Sequence, residues 1–537
     1  MENETEKRSK NNYLLPLFLS LSLIIGVFIG SKFSFTGEQK GLVNSTQNNG
    51  KIDKVLNYIE QHYVDEISSD SLSDITLTTL LHSLDPHSDY IPASELQTVN
   101  EPLEGNFDGI GVEFNILNDT ITVVNPIAGG PSEKAGIKAG DKIIFVNSEN
   151  VAGIKITNKQ VFKKLRGEKG TKVKVKIKRA SFSQLIEFNI KRGEIPIYSV
   201  DASYMLTKNV GYIKINRFAA NTYSEYLEAF NKLTKSGMKK LILDLRGNGG
   251  GYLNAAVDIA DEFLPKGTRI VYTEGNSSPI KYYKASEKGG FESNPIVVLI
   301  DEGSASASEI LAGAIQDNDR GILIGRRSFG KGLVQEQMEM PDGSAIRLTT
   351  ARYYTPTGRC IQKSYKNGND NYFNEEYNRY ENGELLSADS IKFYDSLKYK
   401  TPSGKIVFGG GGIMPDYFIP LDTSFRSSWL NKISFAGLVS DFTLQYVEKN
   451  RASLNSFKNS DQFIKNFNSD NNLLNKLVIY CDKNKVPTDE KGVKKSGEYV
   501  KNQLKALIGR MLFGNECYYI ISQKNDKMII KAVSTLN

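Results

Sequence analysis

From about Asp201 onward, short apolar runs (VGYIKI, KLILDL, PIVVLI, GILIG) alternate with stretches of helical periodicity. Apolar runs without polar alternation belong to strands buried on both faces, as in a largely parallel sheet covered by its crossover helices. That pattern predicts an α/β core over residues 193–424. At 537 residues the chain exceeds what one hydrophobic core organises, so several domains are expected.

The pattern changes along the chain. Helical spacing (Val55, Ile59; then Leu77, Leu80, Leu81, Leu84) predicts a helical domain over 52–104. Short alternating strands (ITVV, KIIFV, KVKVKIK) and a helical segment near Asn158 to Leu165 predict a β-rich module over 105–192. A polar, tyrosine-rich stretch at about 364–405 reads as an insertion in the core, and 425–537 as a helical extension without a functional signal. The 21 uncharged residues between Lys10 and Lys32 follow Lys7, Arg8 and Lys10. Residues 1–35 are therefore expected to be a cytoplasmic stub and transmembrane anchor, 36–51 a linker, and the remainder extracytoplasmic, on the periplasmic side. The alternative is a cleaved signal peptide.

The 68 basic and 61 acidic residues are spread without a dominant basic run, which argues against nucleic acid. Three cysteines, Cys360, Cys481 and Cys517, show no metal-ligand spacing, and no metal or cofactor is called for.

Strand PIVVLI runs into GSASASEI, which places serines at a strand-to-helix junction. Small neighbours permit close substrate approach, and the helix N-terminus favours a developing oxyanion. Ser304 and Ser308 read better as capping residues. A nucleophilic serine needs a base, yet the histidines are His62, His82 and His87, all upstream of these motifs. Lysine is then the leading candidate, and Lys331 stands between Gly330 and Gly332. As a base it must be neutral, so its surroundings should be dry. Gln335, four residues on, is placed to hold the amine. The glycine loop Asp244-Leu245-Arg246-Gly247-Asn248-Gly249-Gly250-Gly251 can offer amides to a tetrahedral intermediate.

In the β-rich module, Phe107-Asp108-Gly109-Ile110-Gly111-Val112 sets glycines before a strand, where free amides can grip a peptide carboxylate. With GPSEKAGIKAGDKIIFVN after it, the module resembles a PDZ domain, with Gly109, Ile110, Gly111 and Val112 as the carboxylate-binding residues.

Together, LHSLDPHSDYIP, FDGIGVEF, DLRGNGGG, GSASASEILAGAIQDN, SFGKGLVQ, ARYYTPTGRCIQ and GGIMPD give the chain a resemblance, from about Leu56 to Leu421, to the tail-specific serine peptidases of family S41. The resemblance implies a ClpP/crotonase-like protease core with an inserted PDZ domain. It also implies an endopeptidase that recognises free, apolar C-termini of proteins. By motif it makes Ser306 the nucleophile, Lys331 the base and Gln335 the third catalytic residue. The oxyanion donors would be the amides of Ala307 and Gly250, with Gly249 the alternative, and Asp317 is structural. A regulatory adaptor and a homo-oligomer are further expectations. Two rivals remain: a membrane-tethered PDZ adaptor, and a penicillin-binding type acyltransferase using the SxxK pattern Ser328 to Lys331. Gly330 and Gly332 disfavour the helical turn that SxxK chemistry needs.

Overall fold

The computed structural model describes residues 49–127, 129–179, 182–287, 289–392 and 394–537. The chain divides into two units, one ending at Thr76 and the other beginning at Leu77. The first contains helix Asn49–His62 and the start of helix Ser69–His82. The expected anchor lies outside the described residues, among which no helix is long and apolar enough to cross a membrane.

The apolar runs form a six-stranded sheet in the order Val200–Met205, Val210–Ile215, Lys240–Asp244, Ile296–Ile300, Ile322–Gly325 and Tyr417–Phe418. Its first pair is antiparallel and every later pair parallel. Strands Val210–Ile215 and Ile296–Ile300 are buried at every position, Lys214 of the first by pairing with Asp244 at 3.4 Å. Helices Thr222–Lys235, Leu253–Asp261 and Ala307–Asp317 share one hydrophobic cluster with this sheet. On a second cluster, Met528, Ile529, Ala532 and Leu536 of the last helix, Lys527–Leu536, pack with Tyr212, Ile242, Val297, Leu299 and Ile324. The end of the helical extension thus completes the core of this sheet.

A second sheet carries strand Ala345–Tyr354 against its hairpin partner and against two strands distant in sequence. It pairs with Leu333–Glu339, with Arg269–Glu274, and with Asp89–Ile91, a strand that lies where helical periodicity alone was expected. Three residues are too few for a period-2 signal, and the pairing is set by tertiary contact.

The sheet of the β-rich module runs Val112–Leu117, Thr120–Pro126, Lys142–Val146, Lys172–Lys178 and Ile186–Lys191, with the short strand Glu149–Asn150 paired to Lys142–Val146, so Val112–Leu117 is an edge. Helix Asn158–Leu165 opens on a capping box between Thr157 and Gln160. The remaining extension is a helical layer with its own core around Trp429, Phe463, Leu477 and Ile508. Cys360, Cys481 and Cys517 are free thiols.

Candidate active site

Strand Ile296–Ile300 ends at Asp301, whose Oδ1 accepts the Gly247 amide at 2.8 Å and the Gly303 amide at 3.1 Å. Ser304 Oγ donates to Leu245 O at 2.9 Å, and Ser308 Oγ to Asn248 O at 2.8 Å. Expected as caps, these two serines instead tie the serine turn to the glycine loop. Between them Ser306 precedes helix Ala307–Asp317 with φ 55° and ψ −113°, a backbone that a side-chain-bearing residue keeps only where its surroundings impose it. The Ala307 amide, first in that helix, has no intrahelical acceptor.

Gly250 lies against the serine: a Cβ there would stand 2.7 Å from the Cβ of Ser306, and its φ is +101°. Its amide, however, donates to Asn248 Oδ1 at 2.9 Å, so in this structure the hydrogen is directed to the loop rather than held out for an oxyanion. Gly249 has open space where a side chain would be and lines the same cavity.

That cavity, of about 580 Å³, brings together Ser306, Lys331, Gln335 and the glycines 249–251, with Tyr353 and Arg347 on its wall. Lys331 Nζ donates to Gln335 Oε1 at 2.9 Å. The other end of that amide, Nε2, is buried and has no partner among the described residues. Burial, reinforced by the Arg347 charge and opposed by Asp85 and Glu309, lowers the Lys331 ammonium to about 8.

One carboxylate joins the two halves of the site. Glu309, fully buried, accepts the amides of Ser306 (2.9 Å), Gly330 (2.7 Å) and Lys331 (2.8 Å), and the Ser328 hydroxyl. Burial pushes its pKa up, while those donors pull against the shift. Tyr353 Oη, also buried, donates towards the carbonyls of Ser306 (3.1 Å) and Lys331. Ser328, the serine of the SxxK alternative, is buried, accepts the Ile413 amide at 2.6 Å and lies in a loop without a helical turn. Asp317 pairs with Arg359 at 2.6 Å, both fully buried.

In the β-rich module the Gly111 amide begins the approach to the edge strand with φ +72°, and a side chain there would meet Ile195 at 2.8 Å. The carbonyls of Ile110 and Gly111 are taken by the amides of Ser132 and Ile127. Val112 opens the edge strand, and Gly109 closes the strand Asn106–Gly109 before it. The rings of Phe114 on the edge strand and Phe162 on the helix meet at 5.6 Å.

Residues 209–368 match the family model of Peptidase family S41, residues 109–191 that of the PDZ domain, and residues 429–514 a family of unknown function. The carboxy-terminal processing protease CtpA of Bacillus subtilis is 37% identical over 336 residues, 62% of this chain and 69% of that one. The carboxy-terminal-processing protease of Bartonella bacilliformis is 34% identical over 355 residues, 65% of this chain and 79% of that one. The chain belongs to this family. It is a carboxy-terminal processing serine protease with a PDZ domain. Among solved structures, a photosystem II D1 C-terminal processing protease is 26% identical, covering 68% of this chain and 92% of its own, with a TM-score of 0.35.

Sequence reasoning missed several groups around the lysine of this carboxy-terminal processing protease. His87, set aside for its distance along the chain, lines a smaller cavity of about 270 Å³ with Lys331, Gln335 and Arg347. Its Nε2 is 2.9 Å from Tyr372 Oη, and burial, with the nearby Lys331 charge, lowers its pKa to about 3, so the ring is neutral. Asp85 accepts the amides of His87 and Ser88 and the hydroxyl of Thr349. Glu309 was legible only as part of a serine motif. Its signal was a charged residue in an otherwise apolar helix face, a pattern that calls for buried partners.

Proposed function

We propose that the protein is an endopeptidase that captures protein C-termini on its PDZ domain and cleaves the unfolded tail with Ser306 and Lys331. One observation carries the assignment: serine and lysine line one cavity, and the lysine is half-buried, its pKa lowered to about 8, and held by Gln335. Neutral Lys331 takes the Ser306 hydroxyl proton as Oγ attacks the peptide carbonyl. The ammonium then returns that proton to the departing amine, leaving an acyl-enzyme. Water then gives a proton to the same lysine as it attacks the acyl carbonyl, and the ammonium returns that proton to Ser306 Oγ as the ester bond breaks, releasing the acid product. The Ala307 amide and the glycine loop are assigned to the oxyanion, with Gly249 as second donor while Asn248 engages Gly250.

The edge strand Val112–Leu117 supports peptide addition as a further strand, with the terminal carboxylate at the amides of Gly109, Ile110, Gly111 and Val112. The largely parallel sheet with flanking helices is read as a ClpP/crotonase-like core. The uncharged segment after Lys10 is read as a bilayer anchor that leaves the peptidase on the extracytoplasmic side.

The test is cleavage of an unstructured polypeptide with an apolar free C-terminus by the protein, by Ser306→Ala and by Lys331→Ala. Folded but inert variants, with slower cleavage of the amidated substrate by the parent, support the proposal. Full activity in Lys331→Ala overturns it.

A further inference from the structure

The insertion at 364–405, polar in sequence, buries its charges against the loop that carries Lys331. Arg379, on helix Glu375–Glu381, has a side chain only 2% exposed. Its guanidinium donates to three consecutive carbonyls, those of Arg327 (3.3 Å), Ser328 (2.8 Å) and Phe329 (3.1 Å). Its Nε donates to Glu375 Oε1 at 2.9 Å. Glu375 in turn accepts Lys363 Nζ at 2.7 Å, and Glu384 accepts Arg327 Nε at 2.6 Å. Tyr372, buried in the same insertion, sets its ring against Phe329 at 5.7 Å.

The loop these groups hold has no regular structure from Arg327 to Gly332. Gly330 has φ +91°, and Gly332 leaves no room for a side chain against the Gln362 amide. Glycines allow that path without enforcing it, because they carry the widest conformational freedom in the unfolded and loosely held chain. From the core side, Glu309 and Tyr353 hold the amides and carbonyl nearest Lys331. The insertion holds the other side of the same loop.

We propose that the insertion is a clamp on the base-bearing loop, and that Arg379 is a positioning residue that fixes Lys331 opposite Ser306 by holding the carbonyls of residues 327–329. The inference rests on the assignment of Lys331 as base. A guanidinium suits the task because its planar fork offers several fixed donors, whereas an ammonium is a single point of charge. The charged groups that face Lys331 itself are Arg347, Asp85 and Glu309, with neutral His87 beside it. None belongs to the insertion, so Arg379 acts through the backbone and not by direct charge.

The experiment measures kcat, KM and the pH profile of kcat for the full chain, Arg379→Met, Arg379→Lys and Lys331→Ala on one unstructured polypeptide, with thermal unfolding alongside. A displaced lysine costs about 10–100-fold in kcat, so Arg379→Met is expected to lose that much with KM within about twofold. The rise of kcat with pH should also move from its parental position. Arg379→Lys should fold and fall between the two. A folded Arg379→Met with parental kcat and pH profile overturns the clamp, as does a change confined to KM, which would mark a role in substrate access. If Arg379→Met loses its unfolding transition, Arg379→Lys decides, and a folded lysine variant with parental kcat and profile overturns the proposal. An inert Lys331→Ala beside a normal Arg379→Met sinks the clamp alone. An active Lys331→Ala sinks the base assignment and the clamp with it.

Discussion

The serine turn and the lysine loop are held in different ways. The turn grows from the carboxyl end of a fully buried strand, and its partners, Asp301, Ser304 and Ser308, connect to the glycine loop at the end of the adjacent parallel strand. Parallel pairing sets those two loops side by side, and short side chains of the turn lock them together. The lysine loop leaves the next parallel strand, Ile322–Gly325, but runs from Arg327 to Gly332 without regular structure. It is fixed by a carboxylate from the serine helix, a tyrosine from a long antiparallel strand and an arginine from the insertion. A regular framework presents the strained Ser306 on short local ties, whereas an irregular loop needs side chains aimed at its backbone from several elements.

The contrast can be broken most severely at the lysine. Lys331→Arg keeps the charge but cannot become neutral, so kcat is expected to fall about 10²–10⁴-fold, read by steady-state cleavage. Retained activity would mean that the lysine loop contributes no base. Glu309→Gln keeps the size of the staple but replaces one acceptor oxygen by a donor facing buried donors. A loss of about 1–3 kcal/mol in unfolding free energy is expected, with at least about a tenfold loss of kcat. An undisturbed variant would show that the two halves are placed independently.

The pH profile sharpens the comparison. A base acts in its deprotonated form, so parental activity should rise about tenfold per pH unit up to about 8 and level off above it, tracking the lowered lysine. Arg347 disfavours the charged lysine, so Arg347→Met should raise the lysine pKa, move this limb to higher pH and leave less activity at neutrality. A limb that stays in place removes Arg347 from the electrostatics of the site.

Smaller effects belong to Tyr353, which touches both sides, and to the support of the glycine loop. Tyr353→Phe removes one hydroxyl shared by two carbonyls and should cost about 1 kcal/mol of stability, measured by denaturant titration. Asp526 pairs with Arg246 of the glycine loop at 2.6 Å while capping the last helix. Asp526→Asn keeps the cap and loses the charge, so about 0.5–1 kcal/mol and little activity are at stake. A larger loss of kcat would show that the helical extension positions the glycine loop rather than only packing beneath the sheet.

The buried strands, the serine junction, the glycine loop and the Lys331–Gln335 pair were legible because each is written within a few residues: a largely apolar run, small residues at a turn, a spacing of four. The strand Asp89–Ile91, the neutral His87 beside Lys331, and Arg379 within a polar tyrosine-rich stretch were not. Their roles depend on partners from about 50 to almost 290 residues away, and nothing in their local pattern names those partners.

By itself, then, the sequence determined the periodicities of the core and the chemical types available for catalysis, since hydrophobic spacing and side-chain chemistry are local properties. Only the tertiary structure decided which groups dry and hold the lysine, and that the last helix closes the sheet. Burial and charge at a point are sums over whatever the fold brings near, and they have no counterpart along the chain.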